Sequence, residues 1–274
     1  MKKGTLSNVF LILVLLLGLS LLLYPTFADW WNSKTQTRAV ASYIEQVALI
    51  DDDKYQELWE SAREYNVSLT ERFNSYALDE AQKMQYEELL NIDGYGIMAY
   101  IEIPSIKVHL PIYHGTDESV LQVAIGHLDW TSLPVGGEST HCVVSGHRGL
   151  PSARLFTDLD KMAVGDYFMI HVLDEVLTYE VDQIRIVEPH ETEELLIQEG
   201  KDLVTLVTCT PYGVNSHRML VRGHRVDNLE QAQTVRVTAD AVIVEKIVVV
   251  PFILGPMLLI ILLVVMLMPV KKKD

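Results

Sequence analysis

Residues 203–213, LVTLVTCTPYG, decide the fold assignment, because an unbroken β-forming run ends abruptly in a turn that contains proline and glycine. Cys209 stands where this run meets the turn. Reactive side chains are often displayed at such places, since the strand fixes them and the loop leaves them accessible. Cys209 is therefore the candidate nucleophile of the chain.

The second cysteine lies in a different setting. Cys142 sits inside the apolar run 141–144, where a cysteine usually behaves as a small hydrophobic residue. We expect Cys142 to be an inert core residue, and a Cys142–Cys209 disulfide is the alternative. Two cysteines can build neither a disulfide framework nor a cysteine-rich zinc module.

A nucleophilic thiol needs a nearby base, because a thiol with an ordinary pKa of about 8.5 is mostly protonated at neutral pH. His147 stands out among nine histidines, since the segment 145–149, SGHRG, places it between two glycines directly after a β-forming run. His217 and His224 are its rivals, because both are close to Cys209 in sequence.

A cation completes the candidate site. Arg218 opens the β-forming run that follows the turn-rich residues 211–216. If the two runs pair as a hairpin, its guanidinium lies beside Cys209. A guanidinium there could stabilise a thiolate or the oxyanion of an acyl-transfer intermediate.

The second half of the chain is built from short β-forming runs separated by prolines and glycines, which is typical of an all-β barrel or sandwich. The runs cover residues 97–103, 141–145, 167–172, 178–187, 203–209 and 219–221. This part contains neither a dinucleotide-binding nor a P-loop glycine pattern.

Residues 33–90 differ in composition from the second half of the chain. They contain no proline, and their apolar residues recur at helical spacing, so they predict amphipathic helices. Asp51, Asp52 and Asp53 are expected to begin the second helix, since carboxylates cap free amides at a helix N-terminus. A metal site is the alternative for this triplet. A third helix is predicted at about residues 79–90.

The two ends of the chain predict membrane segments. Residues 9–24 are an uncharged, leucine-rich run behind two lysines, which is typical of a signal peptide or a retained anchor; residues 26–28 offer a cleavage site. Residues 247–270 carry no charge and are long enough to span a bilayer. The lysines at 271–273 then indicate a cytoplasmic tail.

The charge excludes one class of partner. The chain has 22 basic and 37 acidic residues, a formal net charge of −15. Binding to a nucleic acid backbone requires a basic face, so we expect no nucleic acid partner.

Several segments together resemble one family. Residues 205–218, TLVTCTPYGVNSHR, match the Thr-Leu-x-Thr-Cys motif of sortases and the sequence that follows it. The match continues in YIEIP (100–104), LPIYHGT (110–116), TSLPVGG (131–137) and GHRGL (146–150). The sequence is similar to a class C, pilus-assembling sortase over roughly residues 95–225.

The resemblance implies a mainly β fold, a sortase-like eight-stranded β-barrel with an N-terminal helical extension and flanking transmembrane helices. The implied organisation is a signal peptide or anchor, a helical extension, a catalytic barrel, a linker, a transmembrane helix and a tail. Their bounds are 1–28, 29–94, 95–228, 229–246, 247–270 and 271–274.

The resemblance also implies the chemistry. Cys209 is the nucleophile that forms an acyl thioester, His147 the general acid and base, and Arg218 the group that stabilises the oxyanion and substrate. The implied substrates are pilin subunits, joined through an LPXTG-like sorting signal and a lysine amine. No cofactor or metal is implied.

The implied location is the cell membrane of a Gram-positive bacterium, with the catalytic domain outside. A housekeeping sortase that anchors proteins to peptidoglycan is one alternative reading. A non-catalytic, membrane-anchored β module, such as a pilus adapter or adhesin with Cys209 buried, is the other.

The sequence departs from the class C pattern in two places. Class C sortases typically carry an Asp-Pro lid motif before the barrel, yet no proline occurs between Pro25 and Pro104. Phe73 and Tyr76 occupy about the right place, and we expect deletion of residues 66–79 to change activity little. Cys142 stands where a small polar residue such as serine is expected.

Overall fold

The computed structural model describes residues 3–70, 77–92 and 94–228. Its central element is a closed barrel of eight strands, in the order β1-β2-β3-β4-β7-β8-β6-β5. The strands are β1 Ile97–Ile103, β2 Val108–His114, β3 Ile125–His127, β4 Thr140–Ser145, β5 Tyr167–Val172, β6 Glu175–Val187, β7 Asp202–Thr210 and β8 His217–Val226. The prediction of a mainly β barrel is confirmed.

Two of the eight ladders are parallel, and one of them, between β4 and β7, positions the candidate site. β2 pairs with β3, and β4 pairs with β7, in parallel register. The other neighbours are antiparallel. Because β4 and β7 run in the same direction, their carboxyl ends meet at one end of the barrel, which we call the catalytic end because the candidate nucleophile Cys209 lies there.

The strand β7 carries apolar side chains on both of its faces. Val204 and Leu206 point into the barrel core, whereas Val207 belongs to a second apolar cluster on the outer wall. A strand covered on both faces needs no polar alternation. Since side chains alternate along a strand, Cys209 lies on the outer face with Val207.

The strands β2 and β3 were not predicted from the sequence. β3 has only three residues, too few for a recognisable pattern. β2 contains Pro111, which normally argues against a strand. The proline is tolerated because the ladder to β3 begins only at the next residue, Ile112.

The helix α1, Lys3–Val47, is continuous, although the sequence suggested a leader separate from a following helix. Its segment beginning at Phe10 is long and apolar enough to cross a membrane. Further along, Tyr43 lies buried against the barrel. Its hydroxyl donates to the Met98 carbonyl at 3.1 Å and accepts from the Leu173 amide at 2.8 Å.

The helices α2, Asp52–Thr70, and α3, Glu80–Glu88, complete the N-terminal extension. Asp51 caps α2 as predicted, because its Oδ1 accepts from the Lys54 amide at 2.8 Å. Within the described part of the chain, no group of three His, Cys, Asp or Glu side chains could hold a metal ion, so the metal alternative for the triplet has no support.

Two predictions fall on residues outside those described. They are the lid-like residues Phe73 and Tyr76, and the C-terminal segment 229–274 with its predicted linker, membrane helix and tail.

Candidate active site

Cys209 and Arg218 are directly opposite each other on β7 and β8. The predicted hairpin is therefore present. Opposed residues of an antiparallel pair have Cβ atoms about 5 Å apart and project to the same face. The Arg218 Nη1 donates to the carbonyls of Asn215 at 3.3 Å and His217 at 3.1 Å. These bonds hold the guanidinium over the turn that follows Cys209.

His147 follows β4 at the same end of the barrel, and its approach is fixed by Gly146. The Gly146 amide donates to the Val207 carbonyl at 3.0 Å, and Thr208 Oγ1 donates to the Gly146 carbonyl at 2.8 Å. A Cβ on Gly146 would lie 2.7 Å from an Ile125 side-chain atom, so only glycine fits here. The residue before His147 is thus bonded to the residue before Cys209.

The residue after His147 is tied to the residue after Cys209. Arg148 Nη1 donates to Thr210 Oγ1 at 3.3 Å, and its Nη2 forms an ion pair with Asp160. Together with the Gly146 contacts, this bond joins the residues on either side of His147 to the residues on either side of Cys209, so that His147 is bracketed against Cys209. This role of Arg148 is not predictable from the sequence, because nothing in the spacing links residue 148 to residue 210.

Tyr212, in the turn after β7, packs on the histidine loop. Arg148 lies over the Tyr212 ring at 5.9 Å. Gly149 has φ +76°, and a Cβ on it would come within 2.9 Å of the same ring. Glycine is needed at 149 both for the left-handed backbone and for the close approach of Tyr212.

The His147 side chain is 30% exposed and has an acidic neighbour. Its Nε2 lies 4.0 Å from Glu118 Oε2, at the start of the short helix α4, Glu118–Leu121. Nothing in the sequence points to Glu118, which is far from His147 along the chain.

The outer surface of the barrel beside Cys209 is apolar, and we call it the apolar floor. Four buried residues form it, with three partly buried ones at its edge. They are Val143, Leu195, Val207 and Leu220, with Leu128, Trp130 and Val187. A surface of this kind can bind the apolar side chains of a peptide next to the thiol.

His141 supports this floor rather than the chemistry. It is fully buried; its Nδ1 donates to the Leu196 carbonyl at 2.9 Å, and its Nε2 accepts from Thr205 Oγ1 at 2.7 Å. Burial lowers the pKa of His141 to about 4, so the ring is neutral. It fastens the segment before β7 to the barrel wall.

The two rival histidines differ in position. His224 pairs with Leu203, at the opposite end of β7 from Cys209. His217 pairs with Thr210, and its Nδ1 lies 2.8 Å from Ser216 Oγ. Of the two, only His217 is near the thiol, and its contact is with the turn.

Cys142 is buried in the barrel core, as expected, and burial raises the pKa of its thiol. Both cysteines are free. The disulfide alternative is wrong, because Cys142 faces the core whereas Cys209 faces the outer wall.

Comparison with known proteins agrees with this architecture. The sequence model of the Sortase domain matches residues 101–226. Sortase D of Bacillus subtilis (strain 168) is 31% identical over 129 residues, which are 46% of this chain and 62% of that protein. The chain thus spans less than two thirds of the length of that relative.

The matches to solved structures cover more of the chain than the match to Sortase D. The crystal structure of sortase C1 from Streptococcus agalactiae is 51% identical, with a TM-score of 0.69, covering 70% of this chain and all of that one. Sortase C of Streptococcus pneumoniae is 46% identical, with a TM-score of 0.63, covering 70% of this chain and 97% of that one. The barrel, the match over its strands and these structural neighbours agree: the chain belongs to the sortase family.

Proposed function

We propose that this protein is a class C sortase that polymerises pili. It cleaves an LPXTG-like sorting signal on one pilin subunit and joins the new carboxyl end to a lysine amine of another. The similarity to sortases C at 46–51% identity supports this assignment. The position of Cys209 on the outer wall, opposite Arg218 and bracketed against His147, carries it.

In the first half-reaction, the Cys209 thiolate attacks the carbonyl carbon of the threonine in the sorting signal. Arg218 donates hydrogen bonds to the oxygen that becomes negative in the tetrahedral intermediate. The Thr–Gly bond then breaks, and the His147 imidazolium gives a proton to the departing glycine amine. The product is a thioester between Cys209 and the pilin.

In the second half-reaction, a lysine amine of another subunit attacks the thioester carbonyl. His147 takes a proton from this amine, and the Cys209 thiolate leaves as the isopeptide bond forms. The number of protons on the enzyme is the same before and after the cycle. This chemistry uses the side chains alone and calls for no metal or organic cofactor.

The enzyme acts at the cell membrane, as we propose, with the barrel on the outer side of a Gram-positive cell. The apolar part of α1 supports an N-terminal anchor. The residue pattern of 247–270 supports a second membrane helix, followed by a cytoplasmic tail. The segments 1–28, 29–94, 95–228 and 229–246 then serve as anchor, helical extension, catalytic barrel and linker.

Mass spectrometry of the intact protein tests the assignment. After incubation with a sorting-signal peptide, the wild type should gain the mass of an acyl adduct, and Cys209→Ala should not. Cys142→Ala is the matched control and should still form the adduct, because Cys142 faces the core. Adduct formation in Cys209→Ala, or its absence in the wild type, contradicts the proposal.

The choice of acceptor separates the class C activity from a housekeeping one. With the acyl-enzyme formed, a pilin fragment that contains a lysine should give an isopeptide product. If only amines derived from peptidoglycan react, the chain is a housekeeping sortase. If no amine and no peptide reacts, a non-catalytic anchored module is the better description.

A further inference from the structure

We infer that the catalytic end of the barrel faces the lipid bilayer and is held at the level of the lipid headgroups by α1. This inference rests on the proposed membrane anchor. It goes beyond that proposal because it fixes which face of the enzyme meets the membrane. The contacts of α1 carry it.

The water–lipid boundary of α1 is marked by a cluster of aromatic residues. Tyr24, Phe27 and Trp31 are each more than half exposed, and Trp30 packs against Phe27 with ring centroids 5.7 Å apart. Tryptophan and tyrosine are enriched at the headgroup level of membrane proteins. The first charged residue after the apolar segment is Asp29, so the boundary lies at this turn of the helix.

The same turn of α1 binds the loop that carries His147. Asp29 Oδ1 accepts from the Arg154 amide at 2.9 Å, and Asn32 Nδ2 donates to the Ser152 carbonyl at 2.8 Å. One turn later, Gln36 Nε2 donates to the Val123 carbonyl at 2.6 Å. Since a helical turn rises about 5.4 Å, this loop lies close to the aromatic boundary.

Further along, α1 contacts a second part of the barrel, and these contacts fix the orientation of the barrel relative to the helix. Tyr43 reaches Met98 and Leu173 at the start of β1 and the end of β5. Both points lie at the end of the barrel opposite Cys209. At this end β5 turns into β6, and the first residues of β6 pair with the last residues of β8. Cys209, in contrast, pairs with a residue near the start of β8. From Asn32 to Tyr43 the helix rises about 16 Å, roughly the height of a short strand. The barrel thus has its catalytic end towards the membrane and the start of β7 away from it.

This orientation has a consequence for the substrate. The scissile peptide must enter the site next to the headgroup layer, so a sorting signal tethered to the same bilayer is already near Cys209. Tethering raises the effective concentration of such a peptide without any additional contact.

Depth-dependent quenching in vesicles tests the orientation. Full-length protein carrying Cys209→Ala is given one new cysteine, either Ser152→Cys in the loop or Glu199→Cys near the opposite end, and is labelled with a fluorophore. Cys142 stays unlabelled because it is buried. The vesicles contain phosphatidylcholine, phosphatidylglycerol and a lipid with a headgroup nitroxide.

The label at 152 should be quenched at least about twofold more than the label at 199, since the two ends of a nine-residue strand such as β7 are about 25–30 Å apart. Equal quenching at both sites, or stronger quenching at 199, overturns the inference.

A second measurement tests the contacts themselves. Asp29→Ala combined with Asn32→Ala should lower the rate with a membrane-tethered sorting peptide by about tenfold, as expected from the loss of effective concentration. The rate with the free peptide should not change. Ser33→Ala, on the exposed side of the same turn, is the control and should leave both rates unchanged.

Equal rates for the double variant and the wild type on the tethered peptide would overturn the role of these contacts. If the wild type fails to cleave even the free peptide, the proposed function fails instead. The quenching result still decides the orientation in that case, because it requires no catalysis.

Discussion

Thr208 donates its side-chain hydroxyl to the Gly146 carbonyl over 2.8 Å, and this bond joins the strand of Cys209 to the loop of His147. Thr208→Val preserves the shape of the side chain and removes the bond. We expect kcat to fall by about tenfold or more, because small errors in alignment are costly for catalysis. KM should change little, and the free energy of unfolding should fall by about 1–3 kcal/mol.

Thr178→Val is the control for that variant. Thr178 is also buried and donates its hydroxyl to Asn228 Oδ1 at 3.1 Å, but at the end of the barrel away from Cys209. Its unfolding free energy should fall by a similar amount while kcat stays the same. Equal losses of kcat in both variants would indicate a general effect of stability.

The two thiols should differ in accessibility. Cys209 is partly exposed on the outer wall, whereas Cys142 is buried in the core and has a raised thiol pKa. A thiol-directed reagent at neutral pH should label Cys209 and leave Cys142 unmodified until the protein unfolds. Peptide mapping of the labelled protein gives the site. Resistance of both thiols in the folded protein would favour the non-catalytic module.

Gly149→Ala should damage both stability and activity. The new Cβ would require a left-handed backbone and would meet the Tyr212 ring at 2.9 Å. Backbone strain alone costs about 1–2 kcal/mol, and overpacking adds about 1–3 kcal/mol. Thermal unfolding and the rate of acyl-enzyme formation measure the two effects.

Gly165→Ala separates the backbone effect from the contact with Tyr212. Gly165 also has a positive φ, of +92°, but a Cβ there meets nothing within 4 Å. This variant should lose only the backbone part of the stability and none of the activity. If both variants lose the same stability, the packing of Tyr212 on residue 149 is unimportant.

His141 should make the protein less stable in acid. Burial lowers the pKa of His141 to about 4, against about 6.5 in the unfolded chain. Between these values the unfolded state binds a proton that the folded state does not, so stability falls as the pH falls. The contribution is about 1.4 kcal/mol per pH unit, and it is absent above about pH 6.5.

Urea unfolding from pH 7 to pH 4.5 measures this slope. His141→Gln cannot bind the proton and should flatten the dependence by about that amount, whatever its effect on stability at neutral pH. His190→Gln, at a side chain that is 77% exposed, is the surface control for the substitution. An unaltered slope in His141→Gln contradicts the assignment.

The expected lack of a lid is best tested with point variants. Deletion of residues 66–79 would remove the end of α2, where Asn66 exchanges two hydrogen bonds with the backbone of Leu133. Phe73→Ala and Tyr76→Ala leave Asn66 and its two hydrogen bonds in place. We expect each to change the rate of sorting-signal cleavage less than about twofold, or about 0.4 kcal/mol in activation free energy, because the sequence lacks the Asp-Pro lid motif. A large gain in cleavage would show that a lid operates.

The parts of the site that are local in sequence could be predicted. Cys209 and Arg218 flank one turn, so a hairpin brings them together whatever the rest of the chain does. The glycines on either side of His147 predict a sharp turn after a strand, which makes this histidine the candidate base. Each inference needed only a run of β-forming residues and the turn next to it.

The parts that depend on long-range packing could not be predicted. Glu118 approaches His147, and Arg148 bonds to Thr210, only because the parallel ladder of β4 and β7 closes the barrel. The continuity of α1 was missed for a different reason. Pro25 usually marks a helix boundary, yet a helix in a membrane tolerates it.

In the proposed mechanism, the parallel pairing of β4 and β7 also separates catalysis from specificity. Each strand delivers one reactive group from its own carboxyl end, and the ladder sets their spacing. Between β4 and β7 the chain leaves the catalytic end and runs through β5 and β6. Residues 188–201 then connect β6 to β7. That connection can lengthen, shorten or exchange side chains over the apolar floor while the thiol and the imidazole keep their alignment, so new peptide preferences can evolve without rebuilding the reaction centre.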